Sequence, residues 1–158
     1  AARHQKGYTF IEVVATLAII AVLTSIALPL AEVSAQRKKE EELRLTLRQI
    51  RDALDTYRQA GDEGRIVRKA GDSGYPRTLQ VLIDGVEDAK SPTGSKMYFL
   101  RRVPRDPFYP DPSVPAAQTW GKRTYASPPD APREGDDVFD VYSLSPGTGL
   151  NGVRYREW

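Results

Sequence analysis

A single carboxylate, Glu12, stands at the head of a long apolar run near the start of the chain. The nineteen residues that follow it, 13–31, contain no charged side chain, and a helix of this length can cross the core of a lipid bilayer. A charged side chain inside such a helix costs about 2.5–3.5 kcal/mol on insertion scales. A carboxylate in this position therefore usually needs a partner or a function.

The composition describes one small folded domain in addition to this apolar segment. The chain has 158 residues, of which 40% are apolar and 28% charged. Its formal net charge of +2 is accounted for by Arg3 and Lys6 in the short basic leader, residues 1–7. The rest of the chain is neutral, so its charge gives no reason to expect nucleic-acid binding. The chain has no cysteine, so its globular part must rely on an apolar core or a metal.

One long helix is predicted over residues 8–58, with its membrane-spanning part at about 13–31. Its second half carries an apolar stripe with spacings of four, three, four and three, formed by Leu43, Leu47, Ile50, Leu54 and Tyr57. The opposite face is predicted to be solvated and to carry ion pairs such as Glu40 with Arg44. Pro29 is predicted to interrupt the helix, because an interior proline removes a hydrogen bond and kinks or opens the helix.

Residues 59–158 are predicted to form a globular α+β domain with Gly- and Pro-rich loops. A short helix is expected at 79–83, and strands are expected at residues 97–100, 120–127 and 138–144. Five prolines within 103–115 exclude a central strand there, and 145–158 is expected to be a Gly-rich loop. This order favours an α+β fold in which a small antiparallel sheet packs against the helix stripe.

An enzyme is not expected from these residues. The chain has one histidine, His4, which lies in the leader, and it has no cysteine nucleophile. Residues 147–152 match a dinucleotide-binding pattern, but that pattern has to open a helix within a strand–helix–strand unit. Only six residues follow it, so a structural turn is the better interpretation.

The N-terminal sequence resembles the prepilin cleavage and methylation signal of type IV pilins and of the pseudopilins. Residues 7–12, Gly-Tyr-Thr-Phe-Ile-Glu, carry the resemblance between a basic leader and the apolar run. Further along, the chain resembles the major pseudopilin family of type II secretion systems in four places: Tyr75-Pro76-Arg77-Thr78, Val103-Pro104-Arg105-Asp106-Pro107-Phe108, Trp120-Gly121 and Asp140-Val141-Tyr142-Ser143. Together these motifs cover nearly the whole chain.

This resemblance implies a pilin-like fold and a processed, polymerising subunit. Prepilin peptidase would cut between Gly7 and Tyr8, and Tyr8 would be N-methylated. Glu12 would meet the α-amine of a neighbouring copy, and Pro29 would take part in assembly. The family implies a single-pass inner-membrane protein with its C-terminal domain in the periplasm. Its partners would be other copies of itself in a filament that helps to export folded proteins, minor pseudopilins and an inner-membrane assembly platform.

Calcium is the cofactor that the family usually binds, in its terminal loop. Here no carboxylate lies between Asp140 and Glu157, and Pro146 stands at about the place of a usual aspartate. Because Ca²⁺ takes six to eight oxygen ligands, several of them anionic, we expect no cofactor and no specific calcium site. Asp140 is the only candidate remnant of such a site.

Three alternatives stay open. The chain could be a type IV pilin-like subunit of a surface or DNA-uptake fibre. It could be a soluble periplasmic protein cut after Val33-Ser34-Ala35, a small-x-small pattern, although the apolar run is long for a signal peptide and contains Glu12 at its head. Glu12 itself could be a solvated charge near the membrane interface that pairs with nothing.

Overall fold

A computed structural model describes residues 8–158, except for the side chains of residues 26–28. Helix α1, Phe10–Asp62, continues through Pro29, so the predicted interruption there was wrong, and it extends beyond the predicted end at residue 58. A proline removes only one backbone N–H, and the helical hydrogen bonds on either side of it can continue. The helix ends in a Schellman motif, in which Gly64 adopts a φ of 71°. Its N–H donates to the carbonyl of Gly61 at 3.0 Å, and the N–H of Arg65 donates to that of Ala60 at 2.9 Å. A glycine is suited to this position because it reaches positive φ without steric cost.

The chain forms two compact units, residues 1–38 and 39–158. In the first unit, the described residues belong almost entirely to α1, and the large apolar side chains of this stretch are exposed, with Leu17 at 60% and Ile20 at 53%. The second unit contains the rest of α1 and all remaining helices and strands. The apolar core lies in this second unit.

The second unit is built around the predicted stripe of α1. Leu43, Leu47, Ile50 and Leu54 are each at most 2% exposed, and Tyr57 packs against them as a partly buried side chain. Opposite them lie apolar residues from the rest of the chain, among them Leu79, Leu82, Leu100, Trp120, Val138 and Val141. Each such side chain contributes about 1.5–3 kcal/mol by leaving water. The stripe predicted from the 3.6-residue period is therefore confirmed.

The second unit contains two short antiparallel pairs of strands. Strands β1, Val86–Glu87, and β2, Lys96–Met97, form one pair. Strands β3, Trp120–Arg123, and β4, Asp140–Ser143, form the other, with Trp120 opposite Ser143 and Arg123 opposite Asp140. A short helix, α2, Val81–Asp84, precedes β1. The α+β fold with a long N-terminal helix is thus as predicted, although two two-stranded sheets take the place of the one sheet expected.

The strands are shorter than predicted because loop contacts take over their hydrogen bonds. After β2, the N–H groups of Phe99 and Leu100 both donate to the carbonyl of Leu82 at 3.0 Å, so the predicted strand 97–100 ends early. After β3, the N–H of Thr124 donates to the carbonyl of Arg133 at 2.9 Å instead of extending the β3–β4 ladder. The terminal loop 145–158 is also more ordered than expected, since it contains a bridge between Thr148 and Arg154 and a 3-10 turn, Tyr155–Glu157.

Candidate functional site

Glu12 lies in the first turn of α1, and its contacts there are local. Its carboxylate oxygen Oε2 accepts a hydrogen bond from the N–H of Thr9, and its own N–H donates to Oγ1 of Thr9, both at 3.4 Å. This reciprocal pair is a capping box, in which the residue before the helix and the third helical residue each bond the other's backbone. Glu12 therefore helps to begin the helix that it stands in.

The charge on Glu12 is favourable at this end of the helix but has no charged partner within the described chain. A carboxylate in the first turn faces the partial positive charge of the helix N-terminus. Among residues 8–158 the structure contains six ion pairs, and none of them includes Glu12. Both capping distances are at the long end for hydrogen bonds, so the carboxylate keeps acceptor capacity for a further donor.

In the apolar part of α1, three hydroxyl groups donate hydrogen bonds to backbone carbonyls of the same helix. The hydroxyl of Thr16 donates to the carbonyl of Glu12 at 2.7 Å, and that of Thr24 donates to the carbonyl of Ile20 at 2.8 Å. The hydroxyl of Ser25 donates to the carbonyl of Val22 at 3.0 Å. In an apolar medium polar groups have to be satisfied internally, and these three hydroxyls already are.

The same stretch is long and apolar enough to span a membrane, by length and composition. None of its most apolar window is buried within the chain. Phe10 is 87% exposed and Leu23 is 62% exposed, so this surface is not part of the protein's own core. A continuous apolar surface of this size marks a site that lipid or another protein covers.

The other predicted site residues are placed differently. Gly7 lies outside the described residues. Tyr8 is the first described residue and is 84% exposed, and Pro29 lies within α1 with an exposed side chain. Pro29 is 17 residues after Glu12 on the same helix and is not brought to it.

Asp140 lies on β4 in the second unit, where two guanidinium groups surround it. Its Oδ1 is 2.8 Å from Nε of Arg51, and its Oδ2 is 3.5 Å from Nη2 of Arg123. Within residues 8–158 no group of three or more His, Cys, Asp or Glu side chains is placed to hold a metal ion. Two cations beside the one candidate carboxylate would repel Ca²⁺, so these residues do not fit a calcium site.

Two functional features were missed at the sequence level. The capping box is visible as Thr9-x-x-Glu12, a known signature of a helix start. Glu40 was predicted to lie on the solvated face of α1, and this was wrong because Glu40 is only 4% exposed. Its Oε1 accepts hydrogen bonds from the N–H of Leu150 at 2.8 Å and from the hydroxyl of Tyr155 at 3.0 Å. No local pattern could indicate this, since both donors come from the far end of the chain.

Comparison with known proteins places the N-terminal segment in a defined context. Residues 2–28 match the family model described as the prokaryotic N-terminal methylation motif. The chain is 24% identical over 155 residues to the type II secretion system core protein G of Dickeya chrysanthemi, covering 95% of this chain and 94% of that protein. It is 25% identical over 142 residues to the protein of the same name from Klebsiella pneumoniae, covering 86% of this chain and 94% of the relative. The comparison with solved structures gave no significant match.

The motif and the two relatives agree with the architecture of the chain. The motif covers the first turns of α1, including Glu12, and the similarity to the relatives extends through the globular unit. Together, the methylation motif and the similarity over nearly its whole length make this protein a homologue of the type II secretion system core protein G.

Proposed function

We propose that this protein is the structural subunit of a type II secretion pseudopilus, a helical filament that helps to drive folded proteins across the outer membrane. The observation that carries the proposal is the uncovered apolar half of α1, headed by Glu12. An apolar surface of membrane length has to be covered by something outside the chain. Lipid covers it in the monomer, and neighbouring copies cover it in the filament.

Glu12 supplies the contact that makes assembly specific. Cleavage after Gly7 gives Tyr8 a free α-amine, which is cationic near neutral pH even before methylation is considered. In the filament, the amine of one copy reaches the carboxylate of the next, where the long capping contacts leave Glu12 able to accept it. Methylation of Tyr8 adds apolar surface to this amine.

The leader, the membrane segment and the globular unit have different locations in the cell. Residues 1–7 form the cytoplasmic leader, the apolar part of α1 is the single inner-membrane span, and the globular unit stands in the periplasm. Prepilin peptidase, an inner-membrane assembly platform and minor pseudopilins are the partners of this route. The subunit acts mechanically and carries out no catalysis of its own.

The proposal is tested by expressing the full chain in cells that contain a prepilin peptidase and a type II secretion machine. Intact-mass measurement should give a mature chain that begins at Tyr8 and carries one added methyl group. Gly7→Leu should leave the leader in place, because the peptidase then meets a bulky side chain at the cleavage site. The control variant is Val67→Leu, because Val67 is 85% exposed and has no positive φ, whereas a glycine such as Gly71, with a φ of 92°, would be strained by a leucine.

Three results would contradict the proposal. A chain that begins after Ala35 would identify an ordinary secretory signal. A normal mature mass in Gly7→Leu would exclude the cleavage site. Correct processing together with salt-dependent binding of DNA by the purified chain would favour a DNA-uptake fibre.

A further inference from the structure

The C-terminal residues 144–158, here called the terminal segment, are attached to α1 through one buried carboxylate. Glu40 is 4% exposed, and its Oε1 accepts hydrogen bonds from the N–H of Leu150 and from the hydroxyl of Tyr155. The two donors lie at different positions in the segment, one in its turn and one in its final 3-10 turn, Tyr155–Glu157. One anion on the helix thus joins both ends of the turn.

A second attachment lies further along the same helix. The Arg51 guanidinium donates from Nη2 to the carbonyl of Trp158 at 2.8 Å and to that of Val141 at 3.2 Å. The Arg44 guanidinium lies 4.3 Å from the centre of the Trp158 ring. Positions 44 and 51 lie four and eleven residues after position 40, which is about one and three helical turns. The three side chains therefore share one face of α1.

Several oxygen atoms of the terminal segment accept hydrogen bonds from within the segment. The carbonyl of Gly147 accepts from the N–H of Tyr155 at 3.1 Å, and the carbonyl of Val153 accepts from that of Gly149 at 2.8 Å. The side-chain oxygen of Asn151 accepts from the N–H of Val153 at 3.1 Å. Asp140, the candidate ligand predicted from the sequence, forms ion pairs with Arg51 and Arg123. The segment is therefore closed by its own hydrogen bonds.

We propose that Glu40 is the positioning residue that fixes the terminal segment, and that it does so in place of calcium. A calcium ion would gather the oxygen acceptors of a loop around a positive charge. Glu40 does the reverse, because its negative charge gathers an N–H and an O–H donor of the loop. Hydrogen bonds to an ionised group are roughly twice as strong as neutral ones. The order of the terminal segment therefore depends on residue 40 and is independent of divalent cations. This inference does not rest on the filament role.

Hydrogen exchange of the full chain in detergent micelles tests this inference, with peptides that cover residues 147–158 as the readout. In the unmodified chain, exchange should be the same with EDTA and with CaCl₂. Glu40→Ala should speed exchange of these peptides about tenfold or more, because both loop donors lose their acceptor. Glu40→Gln should give a smaller increase, since the amide oxygen still accepts but carries no charge.

The glutamates that follow Glu40 provide matched controls. Glu41 and Glu42 are exposed neighbours of the same type, so Glu41→Ala and Glu42→Ala should leave exchange of residues 147–158 unchanged. Peptides covering the core stripe, residues 43–54, report in the same samples whether the domain is still folded. If Glu40→Ala unfolds the core, Tyr155→Phe takes its place, since it keeps the ring that stacks on Phe108 and removes only the hydroxyl.

Either of two results would overturn the inference. Faster exchange of residues 147–158 in EDTA, reversed by CaCl₂, would show that a cation orders the segment. If residues 147–158 exchange at the same rate in Glu40→Ala as in Glu41→Ala, Glu40 does not hold the terminal segment. If Glu40→Ala does not fold, unchanged exchange in Tyr155→Phe would show the same.

Discussion

The two parts of α1 show what an apolar helix face does with and without a partner in its own chain. In the part that belongs to residues 39–158, Leu43 and Leu47 are buried against segments from the rest of the domain. In the part before residue 39, side chains of the same type, such as Leu17 and Leu23, are about 60% exposed. The part of α1 from residue 39 onward therefore has its apolar face buried within its own folded unit. The part before residue 39 has an exposed apolar surface of the kind that lipid or another protein covers.

Glu12 and Glu40 make the same comparison for carboxylates. Glu40 is buried and accepts hydrogen bonds from Leu150 and Tyr155, which are 110 and 115 residues away in sequence. Glu12 is exposed, and the one hydrogen bond that its carboxylate accepts among the described residues comes from the N–H of Thr9 at 3.4 Å. A carboxylate whose donors come from its own fold has a structural role. A carboxylate with only a weak local cap remains available to another molecule.

The largest expected effect follows from Glu12→Val. Loss of one member of a buried charge pair costs about 3–5 kcal/mol, and a filament repeats this loss at every subunit. The chain should still enter the membrane and be cut after Gly7, because the change removes an insertion cost of about 2.5–3.5 kcal/mol. Filament yield and cleavage are measured in the same cells, and Glu12→Asp should give an intermediate yield because its reach is shorter. Abundant filaments from Glu12→Val would make Glu12 a solvated interfacial charge.

Truncation of leucines should distinguish the two parts of α1. Leu47→Ala leaves a cavity in the core and should destabilise the domain by about 2–5 kcal/mol. Leu17→Ala should leave domain stability unchanged, because its side chain is 60% exposed and leaves no buried cavity when truncated. Denaturant unfolding of the full chain in detergent, followed by fluorescence of the buried Trp120, measures both variants. An equal loss of stability in Leu17→Ala would contradict the division of α1 into a part whose apolar face is buried, from residue 39 onward, and a part whose apolar face is exposed.

A smaller effect is expected for Thr9→Ala, which separates the two roles of Glu12. The change removes the cap and should cost about 0.5–2 kcal/mol of local helix stability. Hydrogen exchange in residues 10–13 should therefore become faster. Filaments should persist, because the carboxylate that we propose to meet the neighbouring amine is unchanged. If Thr9→Ala abolished filaments as completely as Glu12→Val, the assembly role of Glu12 would reduce to helix capping.

The smallest effect concerns the ion pair between Arg65 and Asp88, which lies within residues 39–158. Hydrogen bonds from the Arg65 guanidinium, at 2.6 and 3.1 Å, and from the N–H of Lys90 hold the pKa of Asp88 below its ordinary value of 3.8. A depressed folded-state pKa stabilises the fold above the unfolded pKa, and this contribution is lost as pH falls through the folded pKa. Asp88→Asn should therefore lower Tm slightly at pH 7, and the difference from the unmodified chain should shrink below pH 4. Filament yield should not change. A difference in Tm that grew on acidification would show that the shift has the opposite sign.

The helix, its core stripe and its processing signal were predictable from the sequence because each is a local or periodic pattern. The spacing of Leu43, Leu47, Ile50 and Leu54 defines one helix face whatever packs against it. Strands β2, β3 and β4 were predicted at nearly the right places but too long, and β1 was not predicted. Their lengths depend on competing partners, as when Leu82 accepts the hydrogen bonds of Phe99 and Leu100.

The sequence by itself determined that an apolar segment of membrane length begins at Glu12, and that a cysteine-free domain has to follow it with its own core. These properties depend on residue type and on spacing over a few helical turns. Only the tertiary structure decided which of the glutamates 40–42 is buried, and that Asp140 lies between two arginines. The local sequence around a glutamate does not show whether its carboxylate is buried or exposed. Its role depends on which donors the fold brings to it from elsewhere in the chain.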